Sequence, residues 1–301
     1  MEPERLPRLA WTTEVVGRVT AEAARATGLA AGTPVIAGAP DAPAEAVSAG
    51  VLGPGDLMIM YGSSIFMIAV VGEAIVDPRM WAAPYVFEGT SIVAGGTSTA
   101  GTLTRWLIEL LEDEHDAAAL SDHYAEFAAW AAESPAGANG LELLPYLSGE
   151  RTPIHDPDAR GVIFGLSLRH TRADIARAAV EGIAQGIRRN AEVMLEIGVP
   201  IERIRAVGGG VRNHAWLQAV SDCLGRPQEV VTQRGAAYGD AVLAALSVGA
   251  LRRDEVPSWL DVDRSVEPDP ALADLYARQA SRQRRLYEST KALMHEVARD
   301  A

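Results

Sequence analysis

The amino-acid sequence predicts an α/β domain in which helices flank a mixed β-sheet. Two apolar runs, at residues 57–61 and 65–71, enclose a short polar turn, which is typical of a β-hairpin. From residue 204 onward, apolar strand patterns alternate with glycine turns and helical patterns. Hydrophobic residues make up 48% of the 301 residues, enough for a sizeable core. Strand pairs followed by strand–helix alternation indicate one layered domain.

Charge and composition exclude several classes of protein. The formal net charge of −13 would repel the phosphates of DNA or RNA, so we expect no nucleic-acid partner. A polyphosphate ligand would have to be held locally, by backbone amides and a metal ion. Cys223 is the single cysteine, which excludes an internal disulfide and is consistent with a reducing cytoplasm. The apolar runs are too short to cross a bilayer, so we expect no membrane partner.

The N-terminal region is predicted to lead through short elements to a candidate carboxylate, Asp41. Residues 1–12 read as a lead-in, and residues 21–27 predict a short helix that ends at Gly28. The run TPVIAG at 33–38 lies between turn residues and predicts a buried strand. Residues 43–49 predict a helix with Pro43 in its first turn, where the missing N–H costs little.

The remainder of the chain is predicted to alternate between helices and strands. The clearest helix covers residues 172–197, with Thr171 as its N-cap and Gly198 at its end. Other helices are predicted at 99–114, 115–133, 213–224, 239–248 and 269–299. Other strands are predicted at 92–95, 161–166, 204–207 and 229–232.

Asp41 is the first candidate functional residue. A carboxylate at the carboxyl end of a buried strand would face the crevice in which open α/β sheets bind ligands. The neighbouring residues Gly38, Ala39 and Ala42 are small enough to let a substrate approach. The alternative is that Asp41 only caps the helix that follows, and the residue taken alone favours this second interpretation.

Three glycine-containing turns are further candidates. The amides and hydroxyls of Gly62-Ser63-Ser64 can hold phosphate oxygens, although an ordinary hairpin turn explains the same residues. Gly208-Gly209-Gly210 either admits a ligand close to the backbone or forms only a strand-to-helix turn with Asn213 as N-cap. Gly101, which follows Gly95-Gly96 at a helix start, indicates a close contact or tight packing. The spacing is neither a dinucleotide fingerprint nor a Walker P-loop, and the histidines are too scattered for a metal site.

The order of these motifs resembles that of the FGGY family of carbohydrate kinases. Residues 161–181, GVIFGLSLRHTRADIARAAVE, resemble the family's second signature from Gly161 to Glu181. The preceding stretch, YLSGERTPIHDPDARG, is similar to a loop of xylulokinases and their relatives. The triple glycine with Asn213 resembles the family's adenosine motif, and residues 235–249 resemble its glycine-rich turn and helix. Upstream, GAPD and YGSS stand where the family has its catalytic aspartate and its Gly-Thr phosphate motif.

This resemblance, which extends from about residue 16 to residue 251, implies an actin-like ATPase (ribonuclease H-like) fold and a kinase that uses ATP and Mg²⁺. It implies that Asp41 takes the proton from the sugar hydroxyl that attacks the γ-phosphorus, and it assigns no metal ligand to the chain. The residues implied to contact the nucleotide are Gly62, Ser63 and Ser64 at the phosphates, Gly101 and Arg105 beside the nucleotide, and Gly208, Gly209, Gly210 and Asn213 at the adenosine.

The resemblance also implies that this sequence is the C-terminal part of such a kinase. Residues 1–30 would be a lead-in from the interdomain junction, 31–255 the ATP-binding domain and 256–301 its helical extension. Because the family's additional N-terminal domain carries most sugar contacts, we expect sugar phosphorylation to require that domain. Besides the second domain of a kinase, two alternatives stay open: a subunit of a split kinase beside a separately encoded N-terminal domain, and a non-catalytic nucleotide-binding or oligomerisation module. A homodimer also stays open as a partner arrangement.

Two departures from the family pattern bear on the substrate. Ser63 stands where the family usually has threonine, but its hydroxyl is kept. Ala42 stands where relatives often have a polar sugar contact, and its side chain cannot form a hydrogen bond. The identity of the acceptor therefore stays open: pentuloses such as xylulose, other ketoses and polyols are all candidates.

Overall fold

The structure, a computed structural model, describes residues 5, 7–111, 120–232 and 235–300. The strands are β1 (Val15–Arg18), β2 (Pro34–Ile36), β3 (Gly55–Tyr61), β4 (Ile65–Val71), β5 (Trp81–Pro84), β6 (Ser91–Gly95), β7 (Glu142–Leu144), β8 (Val162–Phe164), β9 (Ile201–Val207), β10 (Gln228–Val231) and β11 (Val262–Val266). The helices are α1 (Ala21–Thr27), α2 (Asp41–Ser48), α3 (Gly101–Leu111), α4 (Leu120–Glu133), α5 (Arg172–Glu196), α6 (His214–Leu224), α7 (Ala236–Ser247) and α8 (Ala273–Asp300). The predicted helical residues 112–119 lie outside the described residues.

A seven-stranded mixed sheet forms the centre of the molecule, in the order β11-β10-β9-β3-β4-β6-β5. β3, β9 and β10 run parallel, whereas β4, β5 and β11 run antiparallel to their neighbours. The register pairs Met60 with Val207, Tyr61 with Ile65 and Met67 with Gly95. The carboxyl ends of β3, β6, β9 and β10 therefore lie at the same end of the sheet. We call this end of the strands the glycine edge, as distinct from the outer strands of the sheet.

Helices cover both faces of this sheet, and alternation along β3 divides the core between them. Leu57, Ile59 and Tyr61 join a cluster with residues of α3 to α6, whereas Met58 joins a second cluster with α2 and α7. The predicted α/β class with a mixed sheet flanked by helices is confirmed.

The long helix α5 begins and ends as its sequence predicts. Thr171 and Asp174 form a capping box at its start, and Gly198 follows its end with a φ of 87°. Its buried Glu181 accepts hydrogen bonds from the Gly137 amide, Tyr276 and Gln279, so this carboxylate holds α5 to α8.

The prediction of a buried strand at 33–38 is wrong, because the strand that forms there is not buried. Among the described residues β2 pairs with β1 alone, in a separate two-stranded sheet, and neither strand contains a buried residue. A short apolar run shows that a segment can form a strand, but burial depends on the distant strands with which it pairs.

Two strands of the central sheet were not predicted. β5 ends at Pro84 and β11 has the sequence VDRSV, and both lie at the outer edges of the sheet. Edge strands tolerate proline and charged residues, so their patterns are weak. The region 256–301 was predicted to be helical, but it also contains the strand β11. Among the described residues, no helix is both long and apolar enough to cross a membrane.

Candidate functional site

Two of the predicted glycine turns lie side by side at the glycine edge. The hairpin turn Gly62-Ser63-Ser64 follows β3, and Gly208-Gly209-Gly210 follows the adjacent parallel strand β9. A Cβ atom on Gly208 would lie 2.6 Å from the carbonyl oxygen of Tyr61, and Gly208 has a φ of 99°. Both the close approach and the left-handed backbone require glycine at position 208.

These turns present backbone donors that the protein itself does not use. Within the described part of the chain, the amides of Ser63, Ser64, Gly209 and Gly210 have no hydrogen-bond acceptor. A Cβ atom on Gly209 would meet nothing within 4 Å, so a ligand can approach this backbone closely. Neighbouring unpaired amides at turns are suited to binding anionic oxygens.

Gly101 joins the hairpin to the N-terminus of α3. The amides of Ala100 and Thr102 donate to the Ser63 carbonyl at 3.0 and 3.1 Å, and the Gly101 amide donates to the Gly62 carbonyl at 3.1 Å. A Cβ atom on Gly101 would lie 2.7 Å from that Gly62 oxygen. Tight packing, one of the two alternatives for Gly101, therefore explains this glycine. It also places the start of α3 directly against the hairpin.

Arg105 lies one turn further along α3 and is exposed. Its Nε donates to Glu109 at 2.7 Å, in an i,i+4 pair whose side chains are both largely in solvent. Such a pair contributes little to stability, so the guanidinium can exchange Glu109 for another anion at low cost.

Asn213 is the N-cap of α6, as one of the two interpretations predicts. Its Oδ1 accepts the amide hydrogen of Trp216 at 3.0 Å, which leaves its Nδ2 donors unused within the described residues. Trp216 packs beneath the glycine turn, where a Cβ atom on Gly210 would lie 2.7 Å from its ring, and edge-on to Tyr61 at 5.2 Å. The buried indole N–H of Trp216 also has no acceptor in this part of the chain.

The local structure around Asp41 differs from the sequence prediction. It is the first residue of α2, with Pro40 at the N-cap position, so it is neither the helix cap nor the end of a buried strand. α2 is followed by the short connection 49–54 into β3, so the helix runs back along the sheet and its N-terminus points towards the glycine edge. The Asp41 side chain is exposed, and its Oδ1 accepts only the Ala42 amide, at 2.8 Å, within the described residues.

α7 fixes the beginning of α2. A Cβ atom on Gly239 would lie 1.8 Å from the carbonyl oxygen of Ala44, so the two helices touch at this glycine. Asp240 accepts the Ala39 amide at 3.0 Å, just before α2 begins. The position of Asp41 therefore depends on the segment around 235–249 that resembles the family's glycine-rich turn and helix.

An aromatic group near this edge was missed by the sequence prediction. Phe66 stacks on Trp81 with ring centroids 6.1 Å apart, and His155 meets Trp81 edge-on at 6.4 Å. Phe66 packs against the same core cluster as α2, so the aromatic group and Asp41 share a face of the sheet. Trp81 is 38% exposed. The sequence does not reveal this aromatic group, because its three residues come from distant segments and Phe66 is one member of an apolar run.

Metal-binding side chains are not grouped in the described residues. No set of three or more His, Cys, Asp or Glu side chains there is arranged to hold a metal ion.

Comparisons with known proteins identify a family that this chain resembles over most of its length. The model of the C-terminal domain of the FGGY family of carbohydrate kinases matches residues 57–248. Xylulose kinase from Staphylococcus epidermidis is 31% identical over 95% of this chain and 58% of its own length. Glycerol kinase from Bordetella parapertussis is 31% identical over 95% of this chain and 56% of its own length. The crystal structure of xylulose kinase from Rhodospirillum rubrum superposes with a TM-score of 0.90 at 36% identity, over 98% of this chain and 59% of that one. This chain thus spans a little over half the length of these relatives.

Proposed function

This chain belongs to the FGGY family of carbohydrate kinases, and we propose that it supplies the C-terminal, ATP-binding half of the active site of a sugar kinase. The observation that carries the proposal is the glycine edge. Two turns with unused amides lie beside each other there, and the N-terminus of α2 points towards them. Backbone donors of this kind suit phosphate oxygens, and an exposed carboxylate suits proton removal from an alcohol.

The catalytic step assigned to this chain is proton abstraction. Asp41 takes the proton of the acceptor hydroxyl as the hydroxyl oxygen bonds to the γ-phosphorus, while the bond from that phosphorus to the β,γ-bridging oxygen breaks and ADP leaves. Only the Oδ1 atom of Asp41 is engaged within the described residues, so its Oδ2 is available for the proton. When bound, ATP supplies the transferred phosphoryl group.

The nucleotide is proposed to lie along the glycine edge. Gly62, Ser63 and Ser64 would hold the phosphates through the unused hairpin amides and the serine hydroxyls. Gly101 and Arg105 would lie beside the nucleotide, and Gly208, Gly209, Gly210 and Asn213 would contact the adenosine. The free Nδ2 of Asn213 and the open backbone at Gly209 fit that role. The described side chains form no metal cage, so Mg²⁺ is proposed to arrive coordinated to the ATP phosphates.

We propose the same division of the chain as the sequence indicates: a lead-in at 1–30, the ATP-binding domain at 31–255 and its extension at 256–301. The relatives are longer, and the part of them that this chain does not match is proposed to complete the cleft. Apolar side chains at Leu9, Val16 and Val35 are largely exposed, which favours a partner domain on this surface, in the same or in a separate polypeptide.

The acceptor is proposed to be a polyhydroxylated sugar or polyol. Relatives carry the names xylulose kinase, gluconokinase and glycerol kinase, all of which act on small polyhydroxy compounds. The partly exposed Phe66 and Trp81 would offer an apolar surface to the carbon skeleton on the Asp41 side of the sheet. A ketose such as xylulose is the first choice, because the 148–160 loop is similar to that of xylulokinases.

A chimera tests this function. In it, this chain replaces the matching part of the Rhodospirillum rubrum xylulose kinase, and transfer from ATP is measured with D-xylulose, D-gluconate and glycerol. We expect the chimera to phosphorylate at least one acceptor and the isolated chain to phosphorylate none. A folded chimera that neither binds ATP nor transfers phosphate would contradict the proposal and would favour a non-catalytic module.

A further inference from the structure

The polar loop at 148–160 contacts the segment that leads into α3. The Ser98 amide donates to Glu150 Oε1 at 2.7 Å, and the Arg151 guanidinium donates to the Thr97 carbonyl at 2.6 Å. The Gly96 amide donates to the Thr152 hydroxyl at 2.6 Å. Three consecutive loop residues therefore hold three consecutive residues of the 96–98 segment.

The same segment continues directly into the hairpin contact. Four residues after Gly96, the amides of residues 100–102 donate to the carbonyls of Gly62 and Ser63. A Cβ atom on Gly96 would lie 2.0 Å from the Ile65 carbonyl oxygen, so this segment also presses on the first residue of β4. Residues 96–102 thus lie between the polar loop on one side and the hairpin on the other.

The loop is itself fixed to a rigid element. Thr152 donates through its hydroxyl to Asn190 Oδ1 at 2.7 Å, and Asn190 Nδ2 donates back to the Thr152 carbonyl at 3.1 Å. Asn190 is fully buried in the C-terminal half of α5, and its Nδ2 also donates to the Gly186 carbonyl. The contacts run in order from α5 to Thr152, to Gly96–Ser98 and then to the hairpin.

A buried carboxylate such as that of Glu150 lowers the stability of the fold, so a purely structural role explains this residue poorly. Its side chain is buried, and within the described residues its carboxylate forms no ion pair but accepts the amides of Ser98 and Arg151. Burial raises the pKa of this carboxyl to about 7, so the charged form is disfavoured. A buried carboxylate without a paired cation costs stability, which a neutral residue of similar size would avoid.

We infer that Glu150, Arg151 and Thr152 are positioning residues for the phosphate-binding hairpin, which they hold in place through residues 96–102. This inference rests on the proposed function, because it assigns the role of the loop to the nucleotide site. Without these contacts the start of α3 would be free to shift, and the amides of Ser63 and Ser64 would lose their fixed orientation towards the phosphates.

A second carboxylate in the same loop provides a matched control. Asp156 is also buried, but it accepts hydrogen bonds from Tyr287 at 2.6 Å and from His295 Nε2 at 2.8 Å, both on α8. Its side chain also accepts the Asp158 amide, and among the described residues none of its side-chain hydrogen bonds involves residues 96–102. Replacing Asp156 should therefore disturb the loop without releasing the hairpin.

The test compares Glu150→Ala, Glu150→Gln and Asp156→Asn by amide hydrogen exchange in the chain and by ATP affinity in the chimera. Glu150→Ala should speed exchange at residues 96–102 at least tenfold and weaken ATP binding at least tenfold. Glu150→Gln keeps an acceptor oxygen, so exchange at residues 96–102 should be no faster than in the parent, and the ATP affinity should stay within about threefold. Asp156→Asn should speed exchange in the last half of α8 and leave ATP affinity within twofold.

Two results would overturn the inference. One is unchanged exchange at residues 96–102 in Glu150→Ala, and the other is an equal loss of ATP affinity in Glu150→Ala and Asp156→Asn. If the parent chimera binds no ATP, the proposed function fails by itself. The exchange measurement needs no nucleotide, so it still decides whether Glu150 holds the segment.

Discussion

Individual glycines at the candidate site have different reasons to be glycine. Gly208 combines a φ of 99° with a neighbouring carbonyl that leaves no room for a Cβ atom. Gly209, the next residue, has neither restriction. The fold therefore explains Gly208, whereas only a ligand that approaches the backbone would explain Gly209.

This difference predicts that alanine at position 208 affects stability, whereas alanine at position 209 affects ATP binding. Gly208→Ala should lower the free energy of unfolding by about 2 kcal/mol or more, because of the left-handed backbone and the clash with the Tyr61 carbonyl. Gly209→Ala should change it by less than about 0.5 kcal/mol but weaken ATP binding. Urea denaturation and ATP titration measure both effects. A stable Gly208→Ala variant would contradict the described close approach.

At the scale of secondary-structure elements, Thr152 holds the polar loop to α5, and the Glu150 carboxyl, whose pKa is raised, holds it to the segment that leads into α3. The pKa of Glu150 is about 7 in the folded protein because of burial, against an ordinary value near 4.5 in the unfolded chain. Its contribution to stability is therefore fully present below about pH 4.5 and is lost as the pH rises through 7. The neighbouring charged or titratable groups that interact with it are Arg151, which favours the charged form of Glu150, and Tyr146.

Glu150→Gln should remove this pH dependence. Both amide hydrogen bonds go to one oxygen of Glu150, and the amide oxygen of glutamine can accept them without carrying a charge. Above pH 7.5 the variant should be more stable than the parent by up to about 3 kcal/mol, and the difference should shrink towards pH 5. Chemical denaturation from pH 5 to pH 8.5 measures it. A constant difference across that range would show that the carboxyl is not the source.

At the scale of the whole molecule, the N-terminal ribbon of β1 and β2 stands apart from the central sheet and exposes apolar side chains. Val16 is 48% exposed and Val35 is 43% exposed. Replacing both by threonine should change the stability of this chain by less than about 1 kcal/mol, because neither side chain is in the core.

The same double substitution should weaken the contact with an N-terminal kinase domain added as a separate polypeptide. Two methyl groups at about 0.8 kcal/mol each correspond to roughly a tenfold weaker complex. Analytical ultracentrifugation of the mixture checks this outcome, with Val262→Thr on the exposed strand β11 as the control. Equal affinities of the parent and the double variant would place the partner surface elsewhere.

Local patterns predicted much of this molecule, since glycine turns, helix caps and the β3–β4 hairpin depend on neighbouring residues. The N-cap at Thr171, the N-cap at Asn213 and the turn at Gly62 all agree with the structure. Two features depend on contacts between distant segments and were missed or misplaced. β2 pairs outside the central sheet, and Phe66, Trp81 and His155 come together from separate parts of the chain.

The central claim is that Asp41 removes the proton of the acceptor, and one comparison tests it most directly. Asp41→Asn and Asp274→Asn both alter an exposed aspartate in the first turn of a helix, but Asp274 lies on α8. In the chimera, ATP affinity and phosphoryl transfer to the preferred acceptor are measured for both. We expect Asp41→Asn to keep the ATP affinity and to lose about 10²- to 10⁴-fold in kcat, with Asp274→Asn unchanged. Transfer by Asp41→Asn at the parent rate would contradict the claim.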